Sequence, residues 1–80
     1  MNRLHRIAQR NGIPFVKYKM REECKELDIA VERNIEEEII DEITDVMIVA
    51  QQLIYLMGIE KEVEERTKYK IDRTERELGL

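Results

Sequence analysis

The chain has 80 residues, with 18 acidic against 14 basic side chains and a net charge of -4 at pH 7. One domain over residues 1–80 is the expectation at this length, with a marginal core, because so short a chain buries only about 60–65% of its unfolded surface. The lone Cys24 excludes an intrachain disulfide and a cysteine-based zinc site, and the acidic balance argues against nucleic acid as the main partner.

Met1-Asn2-Arg3-Leu4-His5-Arg6 has no long apolar stretch behind it, so no signal peptide is expected. The apolar segment from Ile43 to Met57 is too short to cross a bilayer and contains Thr44, Asp45, Gln51 and Gln52. A soluble, cytoplasmic protein without membrane contact is the expectation.

One Pro and three Gly leave few breaks, and these separate four predicted helices. The first covers residues 2–10 and stops at the Gly12/Pro14 break. Its lone histidine, His5, has a surface or packing role. The second covers 15–32, with Val16, Met20, Cys24, Leu27 and Val31 on one apolar stripe at about 100° per residue. Cys24 and Met20 are therefore core, and Lys17, Lys19, Arg21 and Glu22 face solvent. The third covers 35–57, with Asn34 as N-cap and Glu36, Glu37 and Glu38 in the acidic first turn.

The stripe of the third helix holds Ile39, Ile43, Val46, Met47, Ala50, Leu53, Ile54 and Met57. Ile48, Val49 and Leu56 lie off it, on the side that faces water in a monomer. A helix apolar nearly all round is buried nearly all round, so a second copy of the chain should cover that side. The fourth helix, 59–78, has a thin stripe of Ile59, Val63, Thr67, Ile71 and Leu78 among dense charges and is expected to pack along one edge. No strand pattern and no repeat is present.

Asp45 is the residue to explain. From Ile43 to Met57 only Tyr55 is also ionisable, so Asp45 should have little route to water and need a partner. Glu42 lies beside it on the helix. Glu23 and Glu26, followed by Ala30, occupy the same-handed flank of the second helix as Glu42 and Asp45, followed by Val49, on the third. Packed antiparallel, the two helices can bring four carboxylates to one locus. Such a donor set suits a hard cation, Mg2+ or Mn2+. The alternatives are a salt bridge to Lys or Arg at Asp45 and, for Glu23 and Glu26, a solvated face.

Glu23-Cys24-Lys25-Glu26, preceded by Glu22 and followed by Leu27, and then Asp41-Glu42-Ile43-Thr44-Asp45-Val46 resemble the ExxE–spacer–ExxD hallmark of the MazG-like all-α nucleoside triphosphate pyrophosphohydrolases. Asn11-Gly12 and the closing Lys68-Tyr69-Lys70-Ile71-Asp72-Arg73 are similar to compact, phage-type members. Where compact relatives often have a Gln-Leu pair before the first motif, this chain has Lys19-Met20.

The resemblance implies an antiparallel helical bundle completed as a homodimer or homotetramer. It implies Mg2+-dependent hydrolysis of an NTP or dNTP to the monophosphate and pyrophosphate. Glu23, Glu26, Glu42 and Asp45 then become the metal ligands, and Glu38 or Glu42 orients the attacking water. Lys68, Lys70 and Arg73 become candidates for the substrate phosphates; the competing reading pairs them with Glu64, Glu65, Asp72 and Glu77 on a solvated helix, and Lys17, Lys19 and Arg21 are the alternative for steering the nucleotide, against the solvated face expected of them. The rival functions are a non-enzymatic helical dimerisation or regulatory module and a degenerate member that binds nucleotides without cleaving them.

Overall fold

The structure, a computed structural model, describes residues 2–80. It is all-α, and among the described residues there are four helices and no strand. Helix α1 (Arg3–Asn11) starts where the Asn2 side-chain oxygen accepts the His5 backbone N–H at 2.7 Å. It stops at Gly12, whose φ of 79° suits a residue without Cβ. Helix α2 (Ile13–Arg33) begins two residues earlier than expected, with Pro14 inside its first turn. A proline is tolerated there because its missing N–H would have no helical acceptor.

The expected N-cap at Asn34 is corrected. Asn34 instead ends α2 in the left-handed conformation (φ 56°, ψ 39°), its N–H directed at the Ala30 and Val31 carbonyls. Asn tolerates that region better than most residues, and the αL position satisfies carbonyls that α2 would otherwise leave free. Helix α3 (Glu36–Met57) is preceded by Ile35, which offers no side-chain cap. Its N-terminus relies on Glu36, Glu37 and Glu38 against the helix dipole. Gly58 (φ 65°) closes α3, and α4 (Glu60–Leu78) follows.

The two-residue connection folds α2 back along α3 as an antiparallel hairpin, and α1 lies across both. The buried apolar residues are Ala8, Val16, Ala30 and Val49, joined by Glu23 and Gln52. Asn11 donates from its amide nitrogen to Gln52 Oε1 at 2.9 Å, and Gln9 donates to the Tyr55 hydroxyl at 3.0 Å. The His5 ring stacks on Tyr55 with centroids 3.8 Å apart, which gives His5 its expected packing role.

The expected core faces need correction. Cys24 and Val31 are exposed on α2, and Ile43, Met47 and Met57 are exposed on α3, whereas Val49 is buried. Met20 is half-buried. The helices meet along the flank of Glu23, Ala30 and Val49, rotated from the widest apolar stripes by roughly 60–80° on α2 and about 90–100° on α3. A wheel ranks apolarity, but contact is set by which face lets two backbones come close.

The fourth helix is also corrected. It does not pack along an edge of the bundle; it touches only α3. Tyr69, Ile71 and Leu78 stay exposed, because charges interrupt a stripe too thin to bury. No helix among the described residues is long and apolar enough to cross a membrane.

Candidate metal centre

The α2–α3 contact is a seam with heptad-like spacing. Val16, Lys19, Glu23, Glu26, Ala30 and Arg33 alternate three and four residues apart on α2. Glu38, Glu42, Asp45, Val49 and Gln52 do the same on α3. Because the helices run antiparallel, the turn end pairs Arg33 with Glu38 at 3.2 Å. Further along, one carboxylate oxygen each from Glu23, Glu26 and Glu42 lie within 4.8 Å of one another. Glu23 is only 7% exposed, Glu42 is half-buried and Glu26 is exposed.

Like charges gathered in this way cost energy unless a cation compensates them. Glu23 Oε2 and Glu42 Oε2 are both buried with no hydrogen-bond donor. Burial raises the Glu23 pKa above the usual carboxylate range, opposed by the Lys19 hydrogen bond and reinforced by Glu26 and Asp45. Burial also raises Glu42, reinforced by Glu26, Asp45 and Glu23. Hard oxygen donors with free lone pairs fit a divalent ion, whose ligands sit ~2.0–2.6 Å from the metal. A small inward movement would bring these oxygens to that spacing. The cluster can therefore hold a metal ion.

Asp45 differs from its sequence-based picture. It is exposed, not cut off from water, because its neighbours Met47 and Ile48 open to solvent instead of closing over it. It is not one of the three converging carboxylates, but its charge acts on both Glu23 and Glu42.

Other residues shape the surroundings. Lys19, expected on a solvated face, bonds Glu22 and reaches Glu23 Oε1 at 3.3 Å. Glu22, also expected in solvent, is half-buried; the bonds from Lys19 and Tyr18 lower its pKa. An open groove of about 330 Å³ adjoins the acids, lined by Glu26, Ile29, Ala30, Arg33, Glu38 and Glu42. Lys68, Lys70 and Arg73 lie on α4, with Lys68 paired to Asp72 at 3.6 Å and Arg73 to Glu77 at 3.7 Å. A second groove, on the outer side of α1, is lined by Arg3, Arg6, Ile7, Arg10 and Asn11 and holds no carboxylate.

Arg33 carries no motif that marks it in the sequence. The available signal was its spacing: it continues the Glu23–Glu26–Ala30 flank by one more step of three.

The chain matches a pyrophosphohydrolase family that is related to the MazG-like all-α superfamily. The chain belongs to the phosphoribosyl-ATP pyrophosphohydrolase family, whose model matches residues 5–68. That membership points to a hydrolase of the pyrophosphohydrolase type acting on a nucleotide. The match takes in Glu23, Glu26, Glu38, Glu42 and Asp45 and ends at Lys68, leaving Lys70 and Arg73 outside. No curated protein and no solved structure matches the chain.

Proposed function

We propose that the chain is a compact, Mg2+-dependent nucleoside triphosphate pyrophosphohydrolase, one domain over residues 1–80 that works as a cytoplasmic homo-oligomer. It would cleave an NTP or dNTP, including phosphoribosyl-ATP as the family's name indicates, to the monophosphate moiety and pyrophosphate. The observation carrying this reading is the convergence of Glu23, Glu26 and Glu42 with two buried, donorless carboxylate oxygens.

Glu23, Glu26 and Glu42 would hold the ion, Mg2+ or Mn2+, with Asp45 as a further ligand. When bound, the ion neutralises phosphate charge and lowers the pKa of a coordinated water. The chain's own residues supply positioning, which is most of what phosphoryl transfer needs. Glu38 or Glu42 orients the attacking water. Glu38 has Arg33 on one oxygen, and both line the groove. Arg33 also offers a planar fork of donors at the same groove, suited to a phosphate. Lys68, Lys70 and Arg73 remain candidates for the phosphates, contributed by α4 of a second copy, since α4 touches only α3 within its own chain.

Exposed Ile40, Ile43, Met47, Val31 and Ile29 support association of copies as a homodimer or homotetramer. The same exposure favours a second reading, a non-catalytic helical dimer, or a degenerate member that binds nucleotides only. Pyrophosphate release from a panel of triphosphates and phosphoribosyl-ATP with Mg2+ separates these: turnover supports the enzyme, binding alone the degenerate member, and neither the dimerisation module.

A further inference from the structure

We infer that Lys19 is a tethered counter-ion of the acid cluster, which the divalent ion displaces from Glu23 and which then serves the phosphate chain of the substrate. The inference rests on the metal-site reading above.

Three observations carry it. Lys19 Nζ lies 3.3 Å from Glu23 Oε1, on the carboxylate that is the most buried of the four acids. Among the described residues, no other cation lies within ion-pair distance of Glu23, Glu26, Glu42 or Asp45. Lys19 is also bonded to Glu22, which lies outside the cluster, and its side chain is 31% exposed. It therefore has somewhere to go when it leaves Glu23. A surface pair at this helical spacing is commonplace. A lysine on the one buried acid of a site with excess negative charge is a different case, because removing it leaves Glu23 without any donor.

Charge arithmetic sets the direction. An ammonium on Glu23 competes with a divalent ion for the same oxygen and repels it across a few ångströms. At about 6 Å in a water-like dielectric, that repulsion corresponds to roughly tenfold in affinity. Once displaced, the ammonium stays within a four-carbon stem of the ion. There it meets the excess negative charge of a triphosphate, which as a mobile point charge it suits well. The same side chain thus holds the empty cluster together and is handed to the substrate.

The experiment compares wild type, Lys19→Met and Lys19→Arg in thermal melts titrated with Mn2+ without nucleotide. A second titration adds a nonhydrolysable triphosphate analogue at saturating Mn2+. Lys19→Met keeps the apolar stem and removes the charge, and Lys19→Gln is the back-up should it fold poorly. The expected result is a Mn2+ midpoint about tenfold lower in Lys19→Met, analogue binding weakened several-fold, and Lys19→Arg close to wild type. A wild type that responds to Mn2+ while Lys19→Met responds at the same or a higher concentration overturns the role of Lys19 and leaves the metal site standing. A Lys19→Met that binds the analogue as well as wild type overturns the hand-over to the phosphates. A wild type indifferent to Mn2+ overturns the metal reading and this inference together.

Discussion

Glu23 on α2 and Glu42 on α3 meet across the helical seam, and each leaves one carboxylate oxygen buried without a donor. This one relationship links the fold, the electrostatics and the chemistry. Two helices have spent part of a small interface on mutual repulsion, which a folded protein tolerates when a ligand relieves it.

The pH dependence follows from the sign of the shifts. Both acids are raised above their ordinary values, so the folded state binds protons more readily than the unfolded one. Their favourable contribution is fully present below the unfolded carboxylate pKa and is lost as pH rises through the raised folded values. The metal-free protein should therefore lose stability from these groups above about pH 4.5. Glu23→Gln should flatten that loss and raise the metal-free melting point at pH 7, while cancelling stabilisation by Mn2+. Melts of the two proteins at several pH values check this; a Glu23→Gln protein that melts lower than wild type at pH 7 without metal contradicts it.

Association should depend on the open side of α3. Met47 is 55% exposed and lies beside Ile43 and Ile40 on that face. Met47→Glu should leave helicity intact and convert a dimer or tetramer to monomer in sedimentation equilibrium. Wild-type protein sedimenting as a monomer at tens of micromolar would contradict the expectation.

Asn34 supplies a test of the turn. As the αL residue ending α2, it should be replaced favourably by glycine, with a gain of up to ~1 kcal/mol. If Asn34 instead capped α3, the same change would cost a few tenths of a kcal/mol. Denaturant unfolding of Asn34→Gly reads the sign directly.

Arg33 should act on substrate more than on stability. Its side chain is 59% exposed and its partner Glu38 can turn to water. Arg33→Ala should raise KM about tenfold, the scale of a lost charged hydrogen bond of ~1.5 kcal/mol, with a smaller fall in kcat. Lys70→Ala in parallel shows whether α4 contributes. An unchanged KM in Arg33→Ala removes it from the phosphate site.

Much of this architecture was legible in the sequence. Gly12, Pro14 and Gly58 mark the helix breaks, and the spacing of Glu23, Glu26 and Glu42 brings them to one place. The orientation of the core was not legible. Ala30 and Val49 lie where the helices touch, while Met47 and Val31 do not, because contact falls on the flank that α2 and α3 turn toward each other, whereas a wheel weighs apolarity alone. Asp45 is exposed although its sequence neighbours are apolar, because such neighbours bury a residue only when another element covers them. Lys19 reads as ordinary surface charge because its meaning depends on the helix opposite, and the meaning of Arg33 depends on that helix too.

The most direct test of the account is phosphorus NMR of the products formed from a nucleoside triphosphate or phosphoribosyl-ATP with Mg2+, comparing wild type with Glu42→Gln. The account predicts pyrophosphate and a monophosphate in equal amounts from at least one substrate with wild type, and neither with a folded Glu42→Gln protein. Undiminished turnover in Glu42→Gln, or no pyrophosphate from any substrate with folded wild type, would contradict it.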